Sequence, residues 1–208
     1  MSQARVTIVD YQMGNLRSVQ KALEHVGAQA TISNDPDEIA AADRLILPGV
    51  GAFGDAMREL KARQLTEPIV DFISRGKPFL GICLGLQLLF DEGEEGGPHQ
   101  GLGVIPGRVV RFDLPSEYKV PHMGWNRVTP CGPAGPLFEC LPENPYFYFV
   151  HSYYVRPEDL TLCWLSCDYG GQFCAAITLD NVYATQFHPE KSQTHGLQLL
   201  KNFSRLPI

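Results

Sequence analysis

A chain of 208 residues has room for one large domain or two small ones. A net charge of −6 without any Lys/Arg cluster argues against nucleic acid as the main partner, and no apolar run is long enough to span a bilayer. Met1 to Arg5 lead straight into strand-like residues with no signal-peptide apolar region, and the six cysteines fit no zinc spacing well, so the expectation is a cytoplasmic protein with reduced thiols and no bound metal.

Val6–Val9 reads as a first buried strand, followed by a loop over Asp10–Asn15. Leu16, Val19, Leu23 and Val26 recur at helical spacing, so a helix runs from about Leu16 to His25 and stops at Gly27. Ala30–Ser33 is a second strand. Asp35, Pro36 and Glu38 then spell a helix start with a capping box. Leu45–Leu47 is a third strand. Pro48-Gly49-Val50-Gly51-Ala52-Phe53-Gly54 follows it as a glycine-rich loop, either a flexible connector or a backbone cradle for an anion. Helices near Ala56–Arg63 and Pro68–Arg75 come next.

Phe79–Ile82 is a short apolar strand that runs into Gly81-Ile82-Cys83-Leu84-Gly85, after which apolar residues continue at helical spacing through Phe90. This is the pattern of a nucleophile elbow with cysteine in the serine position. The glycines let a sharp strand-to-helix turn close, and a helix N-terminus at Leu84 favours a thiolate and offers an N–H to an oxyanion. Taken alone, the motif also fits a core cysteine in a tight turn.

The element order to this point, βαβαβααβα, predicts a mostly parallel sheet with helices on both faces and ligands beyond the C-terminal strand ends. The second half reads differently. Asp91–Gly101 is a polar loop. Val109–Phe112, Arg127–Thr129, Tyr146–Val150, Leu162–Leu165, Phe173–Leu179 and Val182–Gln186 are strands, Asp180-Asn181 a hairpin turn, and His195–Arg205 a final helix. With no repeat and no linker, one α/β domain over residues 1–208 is expected.

His188-Pro189-Glu190 stands at the end of the last strand, where residues two apart share a side. A carboxylate beside an imidazole fixes its tautomer and raises its basicity, and a Cys–His–acid set is a standard way to activate a thiol.

On these residues the chain resembles the class I (triad) glutamine amidotransferases along its whole length. Gly81–Gln87, His188-Pro189-Glu190 and Pro48–Gly51 carry the resemblance. It narrows to the glutaminase subunits of imidazole glycerol phosphate synthases through Asp10–Ser18, Gly101–Gly107, Pro121–Asn126, Tyr148–Tyr154 and Phe187–Ser192. Gln12 departs from the glycine usual there, which bears on local loop shape.

The resemblance implies that Cys83 attacks the side-chain amide of glutamine, that His188 is base and then acid, and that Glu190 orients His188. It implies an oxyanion site from Leu84 with Val50 or Gly51, substrate contacts from Gln87, Gly51, Ser152 and Tyr153, and no cofactor. Ammonia would pass to a (β/α)8-barrel cyclase partner in a heterodimer, which makes imidazole glycerol phosphate and an aminoimidazole carboxamide ribotide. Asn15, Pro121, Met123, Trp125 and Lys191 would face that partner, although core packing suits Trp125 equally well. His122 and His151 read as structural, and Cys131, Cys140, Cys163, Cys167 and Cys174 as buried thiols.

Three other readings remain. A glutaminase for another synthase (anthranilate or pyridoxal phosphate) lacks support from Pro121–Asn126 and His151–Tyr154. A cysteine hydrolase of similar fold does not explain Gln87 beside His188-Pro189-Glu190. A non-catalytic module would not keep all three triad members.

Overall fold

The computed structural model describes residues 5–132 and 135–208. Strand β1 (Arg5–Val9) leads to α1 (Leu16–His25), β2 (Gln29–Ser33), α2 (Pro36–Ala41), β3 (Leu45–Gly49), α3 (Phe53–Ala62) and α4 (Thr66–Ser74). Then come β4 (Phe79–Cys83), α5 (Leu84–Gln87), β5 (Phe90–Gly93), β6 (His99–Gln100) and β7 (Ile105–Arg111). The chain continues with β8 (His122–Pro130), β9 (Tyr146–His151), β10 (Tyr153–Pro157), β11 (Cys163–Asp168), β12 (Gln172–Leu179), β13 (Val182–Thr185) and α6 (Gln193–Ser204).

The centre of the sheet is parallel in the order β2-β1-β3-β4-β13; β12, β10 and β7 extend it antiparallel, β5 joins β7 in parallel, and β6 closes the edge antiparallel to β5. A branch runs from β12 through β11 and β8 to β9. Both faces of the parallel centre are covered. Val6, Ile8, Ile46, Leu80 and Ile82 pack with Leu23 of α1 and Leu199, Leu200 and Phe203 of α6. Their alternates Leu45, Leu47 and Phe79 pack with Ile39, Leu60 and Phe72 of α2, α3 and α4. Burying each such side chain stabilises the fold by about 1.5–3 kcal/mol, which is why these strands read as unbroken apolar runs. Among the described residues no helix is long and apolar enough to cross a membrane.

The first half follows the expected pattern closely. The capping box at α2 is only half formed. Asp35 accepts from the N–H groups of Asp37 and Glu38, but Glu38 accepts from Ser33 Oγ, and that hydroxyl accepts the Asp35 N–H that Glu38 was expected to take. The glycine-rich loop is shorter than expected, because β3 extends to Gly49 and α3 starts at Phe53. Gln12 holds φ at 66°, and its N–H donates to Asp10 Oδ1, so the loop keeps a glycine-like conformation without glycine.

The second half departs further. Asp91–Gly101 is a hairpin of β5 and β6 rather than a loop. β8 is longer than expected because His122–Arg127 zips against β9, and β10 follows β9 after Ser152 alone.

Candidate active site

Strand β4 ends at Cys83, and α5 begins at the next residue. With no connector, Cys83 itself makes the turn at φ 55° and ψ −107°, a strained conformation for a residue with a side chain. Gly85 is required by a close approach: a Cβ there would fall on the Leu47 carbonyl oxygen of the neighbouring strand. The expected run of helix to Phe90 is absent, and α5 is one turn. The Leu88 carbonyl accepts from Leu102 N (2.8 Å), and the Leu89 carbonyl accepts from Val104 and Ile105 N (2.9 and 3.0 Å). These long-range bonds take the carbonyls that a longer helix would use, and one turn supplies little aligned dipole to a sulfur.

His188 and Glu190 meet through a turn rather than through strand alternation. β13 stops at Thr185, and Pro189–Lys191 forms a single 3-10 turn. The His188 Nδ1 to Glu190 Oε1 distance is 2.9 Å, and both side chains are almost wholly buried. Ser192 locks the turn: its Oγ donates to the His188 carbonyl (2.6 Å) and accepts from Tyr148 N (3.0 Å). Burial favours the neutral imidazole, but the charge at Cys83 and the pairing with Glu190 outweigh it and push His188 up to about 10. His188 Nε2 has no hydrogen-bond partner among the described residues, which leaves it open to a reacting group.

Cys83 opens into a cavity of about 400 Å³, whose lining includes Val50, Gly51, Leu84, Gln87, Ser152 and Tyr153. Glu95, Pro121, Val150 and His151 complete its lining. Gly51 holds φ at 104°, and its missing side chain leaves room for Met13.

An ordered series of hydrogen bonds runs behind this wall. The Tyr153 carbonyl can only accept, so the Gln87 amide faces it through Nε2 (3.1 Å). The same Nε2 donates to Gln186 Oε1 (3.1 Å), which turns Gln186 Nε2 toward Cys83 Sγ at 3.6 Å. The Tyr153 carbonyl also accepts from His151 Nδ1 (2.8 Å), so His151 Nε2 must accept from His122 Nδ1 (3.0 Å). His122 Nε2 then accepts from Asn126 Nδ2 (3.3 Å). Both imidazoles are therefore neutral. Burial pushes His122 down to about 4 and His151 to about 3.

The residues expected at a partner surface are exposed. Met123 is 62% exposed and Trp125 46%, which overturns core packing for Trp125. The Trp125 ring lies 6.3 Å from that of Tyr148, and Lys191 Nζ lies 5.8 Å over the same tyrosine. The strip thus ends on the turn that carries Glu190. Asn15 is exposed at the start of α1, and α1 packs near that turn. Pro121 lines the cavity instead of the strip.

Sequence reasoning missed Glu95, Gln186 and Tyr11. Glu95 lay in a stretch read as loop, yet its carboxylate caps Phe53 N (2.9 Å) and reaches the cavity wall. Gln186 carried a signal, since it is a fully buried amide two residues before His188. The Tyr11 hydroxyl is buried without a hydrogen-bond partner among the described residues, and burial, then charge at Cys83, pushes its phenol up. The thiol expectation is also corrected: Cys131 and Cys140 are exposed and Cys163 half-buried, while Cys167 and Cys174 are buried.

The sequence model of the class-I glutamine amidotransferases matches residues 7–206. The chain belongs to that family. Among curated amidotransferase relatives, the HisH subunit of imidazole glycerol phosphate synthase from Rhodopirellula baltica is 61% identical over 203 residues, 98% of each chain. The HisH subunit from Syntrophotalea carbinolica is 58% identical, over 95% of this chain and 98% of its own. The amidotransferase fold recurs in the PurLQS structure from Thermotoga maritima, with TM-score 0.73 at 21% identity over 97% of this chain and 96% of that one. It recurs also in a glutamine amidotransferase from the same organism, with TM-score 0.65 at 17% identity over 91% of this chain and 77% of that one.

Proposed function

We propose that this chain is the glutamine-hydrolysing subunit of an imidazole glycerol phosphate synthase in histidine biosynthesis, acting as one domain in the cytoplasm. The observation that carries the chemistry is a buried His188–Glu190 pair beside Cys83, on a strained elbow that opens into a cavity of amino-acid size.

Glutamine enters with its side-chain amide toward Cys83. The Glu95 carboxylate suits its ammonium group. Both Gln87 amide hydrogens are engaged by Tyr153 and Gln186, so only Oε1 of Gln87 is left for the substrate. With the thiol proton already resting on His188, the Cys83 sulfur attacks the amide carbon. The oxyanion is held by the Leu84 N–H with an N–H from Val50 or Gly51. His188 passes the proton to the leaving nitrogen, ammonia departs, and a glutamyl thioester remains. Water, deprotonated by His188, attacks the thioester to give glutamate and free Cys83. Glu190 holds the imidazole through Nδ1 in both halves of the cycle.

The exposed Met123, Trp125 and Lys191, gathered around half-buried Tyr148, support a (β/α)8-barrel cyclase partner that receives the ammonia. Cys83→Ala in the two-subunit complex is expected to abolish glutamine-dependent synthesis and to preserve synthesis from added ammonium. Loss of both would refute this division of labour. Glutamate release by the chain alone is expected to be weak and to rise when a ligand-loaded cyclase is added.

A further inference from the structure

Three cysteines lie on the antiparallel side of the sheet, outside the residues that line the cavity. Cys131 follows β8 and is exposed, Cys163 opens β11 and is half-buried, and Cys174 on β12 is buried. The Sγ atoms of Cys131 and Cys163 are 3.7 Å apart, in contact and unbonded. The Cys131 N–H donates to the Trp164 carbonyl at 2.9 Å, so the two strands are already held as cross-strand neighbours at this point. A disulfide needs a sulfur separation of about 2.05 Å. The two sulfurs must therefore close by roughly 1.7 Å.

We propose that Cys131 and Cys163 form a reversible dithiol–disulfide site, distinct from Cys83, whose co-substrate is a small disulfide of the glutathione type.

The three thiols differ in chemistry. The hydrogen bond with Cys174 pulls Cys163 down, burial opposes it, and the contact with Cys131 adds to the lowering, leaving Cys163 at about 7. Burial pushes Cys131 up, and Cys174 is held well above the ordinary thiol range, first by its bond to Cys163. At neutral pH Cys163 is the sulfur with thiolate character, and thiolates are the attacking species in exchange. Its thiolate attacks one sulfur of the small disulfide, forms a mixed disulfide and expels one small thiolate. Exposed Cys131 loses its proton to solvent and attacks Cys163 Sγ, expelling the second. Two protein thiols are oxidised, and one small disulfide is reduced to two small thiols. Cys174 is buried, so it cannot meet the incoming molecule. Cys140 is exposed but has no sulfur neighbour among the described residues.

The new bond would close a ring through residues 131–163, which contains β9 and β10. Those strands flank Ser152 and contribute His151 and Tyr153 to the cavity wall. The clamp thus encircles the antiparallel wall of the site without touching the elbow on β4.

The test uses the full chain in a Cys140→Ser background, to remove the isolated exposed thiol. The protein is incubated with oxidised glutathione near pH 7.5, trapped with iodoacetamide, and mapped by mass spectrometry without reduction. The expected product is a linked pair of peptides carrying Cys131 and Cys163, reversed by dithiothreitol, with Cys83 still free to alkylate. Adding Cys131→Ser should stop the reaction at a glutathione adduct on Cys163. Three results would overturn the proposal: glutathione on Cys83 with the pair still reduced, a Cys163–Cys174 link, or a lasting adduct with Cys131 present.

Discussion

Mild acid should destabilise this protein through two buried histidines. His122 and His151 hold their neutral forms in the fold, at about 4 and about 3, because burial penalises the charge. In the unfolded chain both titrate near 6.5. Between those values the unfolded state binds more protons than the folded state, so stability falls as pH falls. From pH 7.5 to 5.0 each histidine removes about 2 kcal/mol, about 4 kcal/mol together. His188 has the opposite sign. Its folded value is raised to about 10, so its contribution is complete below 6.5 and is lost as pH rises through 10. On the same descent it returns about 1.5 kcal/mol, leaving a net loss of about 2.5 kcal/mol. Urea midpoints at pH 7.5, 6.5 and 5.0 measure this. The decisive comparison is the double variant His122→Phe/His151→Phe. Its baseline stability will differ, but its stability should hold or rise over the same interval. Parallel slopes for variant and wild type would refute the assignment to this pair.

Glu190→Gln keeps the shape of the buried turn but removes the charge that faces His188 Nδ1. We expect kcat for glutamine hydrolysis to fall by roughly 10²–10⁴ with KM nearly unchanged, as when a triad loses its acid; a large KM effect with kcat preserved would contradict an orienting role. Gly85→Ala drives a methyl group into the Leu47 carbonyl, and neither the turn of α5 nor the backbone of β3 is a flexible side chain that could give way. The expected cost is about 3 kcal/mol or more, read from the urea midpoint, together with lost glutaminase activity. Stability within about 0.5 kcal/mol of wild type would show that β3 and the elbow can separate freely.

What the sequence made legible is what local chemistry decides. Leu16, Val19 and Leu23 define α1 by spacing alone, and Asp35 caps α2 through its own side chain. The misreadings occur where distant backbone competes. Leu84 to Phe90 have helical spacing, yet residues 102–105 claim their carbonyls and end the helix after one turn. Asp91–Gly101 is polar because one strand of its hairpin lies at a sheet edge, and polarity was read as loop. That hid Glu95. Thiols were placed inside by their average habit, and only pairing of β8 with β11 puts Cys131 at the surface beside Cys163. The residues proposed as a triad were readable as candidates because Cys83, His188 and Glu190 each carry a particular residue type in a short motif. The turn that joins the last two was not, since strand alternation predicts the same proximity.

The hydrogen bonds behind the cavity join acid stability to the proposed chemistry. Each donor in the series is fixed by the one before it, starting from the Tyr153 carbonyl, and the last points Gln186 Nε2 at Cys83. A proton added to His151 Nε2 would set two N–H groups against each other at the His122 contact, where 3.0 Å leaves no room for both hydrogens. One ring must then move. His151 also donates to the Tyr153 carbonyl that orients Gln87, so that movement reaches the amide pair. Hence the acid limb of glutaminase activity in the folded protein should lie near pH 3–4, where the pair itself takes up a proton, and should not report the titration of His188, which remains protonated throughout that range.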